Sequence, residues 1–225
     1  MGSLDLSDGY TTAEAKKMVR SLLNEPTASY WTDNEIDKWI QEGCIDITTK
    51  TLCYEKSGDI TLVSTPVLTY GGVGSDSIDD ILKIYGAVYY DNTNTYRGLM
   101  KIHPRQIQHL PQADAGEPYY WYTFGDMFGI FPVTNAAVVT AVGKVKVFYS
   151  MADEVITNLP YYYQLPALIY AVSMARRKQG RLAEAGQFYM MYINSMKFYR
   201  VDLYERGVDS KDMFQIPDGT REVRR

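Results

Sequence analysis

The sequence predicts an α+β protein in which N- and C-terminal helices form an antiparallel bundle, with an antiparallel β-domain inserted between them. Helical periodicity near both ends of the chain and period-two alternation in the middle support this class. The predicted division is 1–56 for the N-terminal helices, 57–150 for the inserted β-domain, 151–205 for a C-terminal helical hairpin and 206–225 for an extended arm. The hairpin is expected to complete the bundle.

Two capping boxes mark the starts of the N-terminal helices. Thr11 is followed three residues later by Glu14, and Thr32 is followed in the same way by Glu35. Trp31, just before the second start, has the spacing of a hydrophobic staple with residue 36. Apolar residues then recur at helical period, namely Ile36, Trp39, Ile40, Cys44 and Ile47.

The middle of the chain alternates with period two, which predicts strands with one face toward a core. Three segments show the pattern most clearly, at 80–90, 95–102 and 143–149. The predicted core-facing residues are Leu82, Ile84, Val88 and Tyr90 in the first, Tyr96, Met100 and Ile102 in the second, and Val145, Val147 and Tyr149 in the third.

The stretch GEPYYWYTFGDMFGIFPV, residues 116–133, predicts an aromatic hairpin. The two residues Gly125 and Asp126 supply the positive φ that a tight two-residue turn needs. Alternation puts residues 120, 122 and 124 on one face and Tyr119 and Trp121 on the other. Because both faces carry aromatic rings, one face is expected to cover the core and the other to need a second cover.

A helical hairpin is predicted after the last strand. Pro166 suits the first turn of one helix and Gly180 its end. The second helix should run from Leu182 to about Tyr204. Its apolar positions form a stripe with a second one beside it, namely Leu182, Ala185, Tyr189, Tyr192, Met196, Tyr199 and Leu203 with Phe188, Met191 and Phe198. This face is wider than one helix–helix contact requires.

Composition and motifs argue against several classes of protein. A net charge of −4 does not suit a general nucleic-acid binder, and two cysteines are too few for a disulfide scaffold. His103 and His109 lack a third metal ligand at a telling spacing. No phosphate-binding loop, hydrolase motif or apolar run of membrane-spanning length occurs. The sequence therefore predicts no catalytic residue, no cofactor, no metal ligand and no membrane partner.

A basic cluster near the end of the first C-terminal helix has two interpretations. Its members are Arg176, Arg177, Lys178 and Arg181. They could contact phosphates, or they could be cations placed at a helix C-terminus, where the helix dipole favours them. The second interpretation is the simpler one.

The order of helices, strands and helices resembles that of the head-to-tail adaptor proteins of tailed bacteriophages. The segment WTDNEIDKWIQEGCIDI is similar to the helix that opens the fold in that family. GEPYYWYTFGDMFGIFPV resembles its strand with a Gly-x-Pro start, followed by a strand that ends in an apolar-Pro pair. The segment from VKVFYSMADE to MMYINSM resembles its closing strand, loop and two antiparallel helices. The similarity spans roughly residues 30–200.

This resemblance implies a structural virion protein, and not an enzyme, at the neck between head and tail after synthesis in the cytoplasm of the bacterial host. Such adaptors form a homo-oligomeric ring, usually of twelve subunits, under the portal. The implied partners are other copies of the chain, the portal protein and a tail nozzle or tail tube protein, with tail fibres as a further candidate. Genomic DNA would pass through the ring without specific binding.

The same resemblance suggests where partners bind. The subunit and partner interface is expected at Tyr119, Trp121, Tyr189, Tyr192, Met196 and Tyr199. Met213, Phe214 and Ile216 are expected to anchor the C-terminal arm in the portal.

Two alternatives stay open from the residues alone. The chain could be another tail or neck completion protein, or a fibre-docking protein. It could also be a carbohydrate-binding or hydrolysing β module in which Trp121 stacks on a sugar ring.

Overall fold

The computed structural model describes residues 9–61, 67–69, 81–90, 96–107, 116–124, 127–132 and 144–196. The chain forms two compact units. The α unit comprises Met1–Cys53 and Asp153–Arg225, and the β unit comprises Tyr54–Ala152. Each unit has its own cluster of buried apolar side chains.

Within the described residues there are five α-helices and seven strands. The helices are α1 (Thr12–Leu23), α2 (Asp33–Thr51), α3 (Pro104–Ile107), α4 (Tyr161–Lys178) and α5 (182–196), with a 3-10 turn at Ile156–Asn158. The strands are β1 (Glu55–Thr61), β2 (Val67–Thr69), β3 (Ile81–Tyr90), β4 (Tyr96–Lys101), β5 (Tyr120–Phe124), β6 (Met127–Phe131) and β7 (Lys144–Met151). None of the described helices is both long and apolar enough to span a bilayer.

Both predicted capping boxes are confirmed. The Thr11 hydroxyl accepts from the Glu14 backbone N–H at 3.3 Å, and the Glu14 carboxylate accepts from the Thr11 backbone N–H at 2.9 Å. Thr32 and Glu35 repeat the arrangement at 3.3 Å and 3.0 Å. Each box satisfies amide donors that a helix start would otherwise leave without partners, so α1 and α2 begin where the sequence predicts.

The core of the α unit lies where α1 and α2 pack against α4. Gly43 lets α2 approach α4 closely, because a Cβ at this position would lie 3.0 Å from the backbone oxygen of Ala167. The fully buried apolar side chains of this core come from all three helices, with Val19 from α1, Ile36, Cys44 and Ile47 from α2, and Tyr163, Leu168 and Val172 from α4.

The predicted start of α4 is wrong, whereas its end is confirmed. The helix begins at Tyr161, so Pro166 lies inside it and not in its first turn. Gln164 explains the earlier start, because its buried amide donates to the Leu159 oxygen at 3.0 Å and accepts from the Tyr10 N–H at 2.6 Å. Contacts distant in sequence therefore extend the helix. Gly180 ends it at a φ of +80°, as predicted.

The strands of the β unit form one mixed sheet in the order β1-β7-β3-β4-β5-β6-β2. The pair β4–β5 is parallel, with Met100 beside Tyr120 and Lys101 beside Trp121, and the other described pairs are antiparallel. The predicted helix bundle with an inserted antiparallel β-domain is therefore wrong, and the chain is a mixed α/β protein. The reason is that the 18 residues between β4 and β5 (102–119), which include α3, are enough to bring the chain back so that β5 runs in the same direction as β4.

The strand faces are predicted correctly for one strand and only in part for two. In β7, Val145, Val147 and Tyr149 are buried as predicted. In β3 the register shifts twice, between residues 81 and 83 and between 84 and 86, so the parity changes along the strand. The buried residues of β3 are Ile84, Ala87 and Tyr89. In β4, Leu99 is buried and Met100 is exposed, contrary to the prediction, whereas Ile102 just after the strand is buried as predicted.

The aromatic hairpin is confirmed by the pairing of β5 with β6. Phe124 lies opposite Met127, so two residues connect the strands. Trp121 is 1% exposed and stacks on Phe128, with ring centroids 5.8 Å apart and an interplanar angle of 19°. The face of β5 that carries Trp121 thus covers the core, and the opposite face points outward.

Candidate interaction surfaces

Helix α5 contacts the rest of the α unit through a narrow stripe. Ala185, Tyr192 and Met196 are buried, and Phe188 and Ile193 are half-buried against the same core. Spacings of seven and eleven residues between the buried positions place them on one face of the helix. A single stripe of this kind fixes the position of α5 and leaves the rest of its circumference exposed.

Tyr192 is the polar anchor of this stripe. Its hydroxyl donates to the Asp46 carboxylate on α2, and Asp46 also pairs with Lys50 at 2.7 Å. The ring packs edge-to-face on Tyr170, with centroids 5.3 Å apart. Burial, and then the neighbouring Asp46 carboxylate, raise the pKa of Tyr192 far above its usual range. Tyr192 therefore stays a neutral donor, and it holds α5 against α2.

The exposed side of α5 carries four large apolar side chains together with the uncharged polar residues Gln187 and Asn194. We call it the helix surface and define it by Leu182, Tyr189, Met190 and Met191, all exposed, with Met190 at 56% and Met191 at 53%. Glu184 is the single charged residue in the segment 182–196. An open cavity of about 430 Å³ borders this surface, where Leu182 and Tyr189 face Met174 and Arg177 of α4. A helix that is exposed and nearly uncharged is unusual on a protein surface without a partner.

A second apolar surface lies on the outer face of the sheet. We call it the sheet surface and define it by Met100, Phe124 and Phe148, which are exposed, Met100 at 61% and Phe124 at 63%. They share a face because each follows or precedes a buried inward-facing residue on its own strand, and strand neighbours point to opposite faces.

Tyr122 shows how flat this outer face is. Its ring lies over Gly129, because a Cβ on that glycine would come within 2.1 Å of the ring. The glycine lets the ring lie down on the sheet, and burial raises the pKa of the Tyr122 hydroxyl. On this part of the outer face the Tyr122 ring lies flat against the sheet, whereas Met100 and Phe124 protrude.

The residues predicted as interface contacts separate into three groups. Tyr119 and Tyr189 are exposed, and the Arg97 guanidinium lies 4.8 Å from the Tyr119 ring centre. Trp121, Tyr192 and Met196 are buried, so each supports the fold of its own unit and has almost no surface for a partner. The remaining predicted contacts, Tyr199 and the arm residues Met213, Phe214 and Ile216, lie outside the described residues.

The basic cluster is largely neutralised within the chain. Arg176 and Arg181 pair with Glu184 at 3.4 Å and 3.2 Å, and Lys178 pairs with Glu35 of α2. Lys178, and then the capping-box contacts with Thr32, lower the pKa of Glu35 to about 2. These pairs favour the structural interpretation of the cluster over a phosphate site.

The histidines do not form a metal site in the described part of the chain. The Nδ1 atom of His103 accepts from the Arg105 backbone N–H at 3.2 Å, and His109 lies outside the described residues. Among the described histidine, cysteine, aspartate and glutamate side chains, no three lie together so that they could hold a metal ion.

Sequence reasoning missed several members of both surfaces. Met190 belongs to neither apolar stripe of the predicted helix, and Phe148 is an outward-facing residue of a strand whose other face was recognised. One usable signal existed, because the segment 182–196 contains a single charged residue. For the sheet surface a signal also existed in β7, because Phe148 lies between Val147 and Tyr149, which the sequence predicts to face the core.

Two uncovered apolar surfaces are typical of a structural protein that works by contact with other protein chains. The match to known families agrees with this class. The chain belongs to the SU10 adaptor protein family, whose model matches residues 10–210. This is a family of bacteriophage adaptor proteins, which are structural rather than catalytic. No curated protein matches the chain.

Proposed function

We propose that this adaptor assembles as a ring under the portal of a bacteriophage capsid, joins the head to the tail and leaves a channel through which DNA passes. The observation that carries the proposal is the helix surface, because an exposed helix with a single charged residue in fifteen positions calls for a protein partner. A closed ring supplies such a partner to every copy without leaving an end uncovered.

Charge supports the channel part of the proposal. The chain carries a net charge of −4, and three members of its basic cluster are paired with carboxylates of the same chain. An acidic wall does not hold phosphates, so DNA would pass without specific binding. The expected location is the neck of the virion, with the portal on one side and a tail protein on the other.

The C-terminal arm completes the proposal. Residues 206–225 contain the apolar triplet of Met213, Phe214 and Ile216 between charged residues. We expect these side chains to enter apolar pockets of the portal protein. A chain that ends at residue 205 should therefore lose portal binding, whereas the variant Met213→Leu, which keeps the apolar volume, should retain it.

Copy number in tailed particles tests the proposal most directly. Quantitative mass spectrometry should give about one copy of this chain for each copy of the portal protein, because we expect the adaptor ring and the portal ring to have the same number of subunits. Met190→Glu should lower the amount of this chain in particles about tenfold or more, since it buries an unpaired carboxylate in the contact. Gln41→Glu adds the same charge at an exposed position of α2 and serves as the control. Absence of the wild-type chain from particles contradicts the proposal.

The carbohydrate alternative gains no support from the described residues. Its stacking platform was to be Trp121, and that ring lies in the core against Phe128. The exposed rings on the outer face are accompanied by Met100, which offers no flat surface to a sugar. A neck or fibre-docking protein stays the second candidate, and the copy ratio separates it from the ring.

A further inference from the structure

We propose that the sheet surface of one copy receives helix α5 of the next copy, so that the subunit contact joins two different surfaces of the chain. The inference rests on the proposed ring and specifies its interface. The sheet surface is Met100, Phe124 and Phe148, and the helix surface is Leu182, Tyr189, Met190 and Met191, as defined above.

The sheet surface needs a second layer. Sheets with one apolar face pack that face on a core and leave a polar face in water, whereas here the outer face also carries large exposed apolar side chains. The inner face already covers the core of the β unit through Trp121 and Val147. On the outer face, Met100 and Phe124 are more than half exposed. The layer that most commonly covers such a face is a helix.

The shape of the sheet surface is suited to packing against a helix. Gly98 lies on the outer face opposite Val88, and a Cβ built on it would meet nothing within 4 Å. Its neighbour along β4 is the protruding Met100, and Phe148 stands two strands away on β7. The glycine therefore marks a low point between protruding apolar side chains, into which a ridge of helix side chains can pack.

The occupant has to be nearly uncharged, because burying an unpaired charge against Met100 and Phe124 would be costly. Helix α5 meets this condition. Its single charged residue, Glu184, is already paired with Arg176 at 3.4 Å and Arg181 at 3.2 Å. Met190 and Met191 have flexible side chains that adapt to an irregular apolar surface.

Charges at the rims of the two surfaces are complementary. Lys144 and Lys146 lie on the outer face of β7, beside the sheet surface. Next to α5, Glu42 of α2 is an acidic residue one turn before Asp46, whose own charge is already paired with Lys50 at 2.7 Å. Each rim also carries one charge of the other sign. On the sheet, Asp59 of β1 lies opposite Lys146, and beside α5 there is Arg177 of α4. Opposite charges at the rim set the register of a contact more than its affinity.

A contact between two different surfaces has a geometric consequence. Each copy would donate α5 to one neighbour and accept α5 from the other. Such heterologous contacts generate a ring when the rotation between copies closes. An isologous pairing, in which α5 meets α5, would instead give dimers.

Cysteine cross-linking of the full chain tests the contact. Purified particles that carry Met100→Cys and Met190→Cys in a Cys53→Ser background should give a ladder of covalent oligomers on mild oxidation. Cys44 is buried, and burial raises the pKa of its thiol to about 12, so it does not interfere. The control pairs Met100→Cys with Gln41→Cys on the exposed side of α2 and should give no ladder.

Single cysteine variants distinguish the two geometries. A mixture of chains with Met100→Cys and chains with Met190→Cys should give cross-linked dimers, whereas neither variant alone should do so. Dimers from Met190→Cys alone would show an isologous contact and overturn the inference. Rings at the expected copy number without a ladder above control would also overturn it, while the proposed function would stand. Wild-type chain missing from particles would instead contradict the proposed function.

A charge exchange keeps the test valid if the cysteines disturb assembly. Met190→Glu and Met100→Lys should each lower incorporation into particles about tenfold or more, which corresponds to about 1.4 kcal/mol. The double variant pairs the two new charges across the contact and should recover most of the incorporation. Failure of the double variant to recover would overturn the pairing of these surfaces.

Discussion

The α unit and the β unit are each stabilised by a different kind of internal interaction. In the α unit, polar groups far apart in sequence fix the helices, for example the ion pair between Lys178 and Glu35 and the hydrogen bond from Tyr192 to Asp46. In the β unit, the contacts at the centre of the core are apolar, with Trp121 stacked on Phe128. Polar pairs depend on protonation and apolar contacts do not. The two units should therefore respond differently to the same perturbation.

Arg20 shows how polar groups fix the α unit. This buried side chain donates to the Trp31 oxygen at 3.0 Å and to the Asp33 carboxylate at 2.5 Å. It also lies 3.8 Å from the Glu25 carboxylate, which accepts backbone N–H groups from the loop between α1 and α2. A buried arginine supported by two carboxylates sets the path of the loop and the angle at which α2 begins.

Removal of the central ring of the β unit should have the largest effect. Trp121→Ala should destabilise the β unit by about 3–5 kcal/mol, because it leaves a cavity under Phe128. Hydrogen exchange measured for each unit separately checks this, since the amides of the α unit should keep most of their protection. Tyr119→Ala, at the exposed neighbouring ring, is the control and should cost about 1 kcal/mol or less. Equal losses of β-unit stability in the two variants would show that Trp121 is no more buried than Tyr119 and would contradict the prediction.

Loss of one hydroxyl in the α unit should have a smaller effect. Tyr192→Phe should destabilise the α unit by about 1–3 kcal/mol, because the Asp46 carboxylate loses its buried donor and keeps only Lys50. Chemical denaturation followed by far-UV circular dichroism measures the difference. Tyr189→Phe removes a hydroxyl from an exposed ring of the same helix and should change stability by no more than about 0.5 kcal/mol. A Tyr192→Phe protein as stable as wild type would mean that packing alone holds α5.

The smallest expected effect is a difference between the two units in how their stability responds to pH. Lys178, and then Thr32, lower the pKa of Glu35 in the folded protein from its usual 4.5 to about 2. A group with a depressed pKa contributes stability that is present above its unfolded pKa and lost as pH falls toward its folded pKa. The α unit should therefore lose protection between about pH 4.5 and pH 2, and the β unit should lose less.

Two variants assign this acid sensitivity to the pair. Glu35→Gln keeps the capping box, since glutamine also serves at that position, but removes the ionisable group. It should flatten the pH dependence of the α unit between about pH 4.5 and pH 2. Lys178→Met should do the same from the other partner. An unchanged slope in both variants would place the acid sensitivity elsewhere in the unit.

The difference between the units also explains how much of the fold the sequence predicts. Capping boxes at Thr11 and Thr32, the two-residue hairpin turn and the alternation in β7 are local signals, and the structure confirms each of them. The parallel pair β4–β5 and the parity changes in β3 depend on partners distant in sequence. Local patterns contain no information on such partners. The prediction of an antiparallel β-domain was wrong for this reason.

The interaction surfaces were predictable to a similar degree. The width of the apolar face on α5 indicates a second contact, and the aromatic character of both faces of β5 indicates a second cover for the sheet. Alternation alone does not decide which face is inside, since both faces of β5 carry rings of similar size. The core position of Trp121 follows only from its stacking on Phe128 across the hairpin.

The narrow attachment of α5 has a consequence for how the sequence can change over evolutionary time. Three of the fifteen positions in 182–196 are buried, and folding of the single chain constrains those three most strongly. The exposed positions of the helix can drift together with whatever surface they meet, at little cost to the monomer. Selection for folding and selection for assembly therefore act on largely separate sets of residues within one helix.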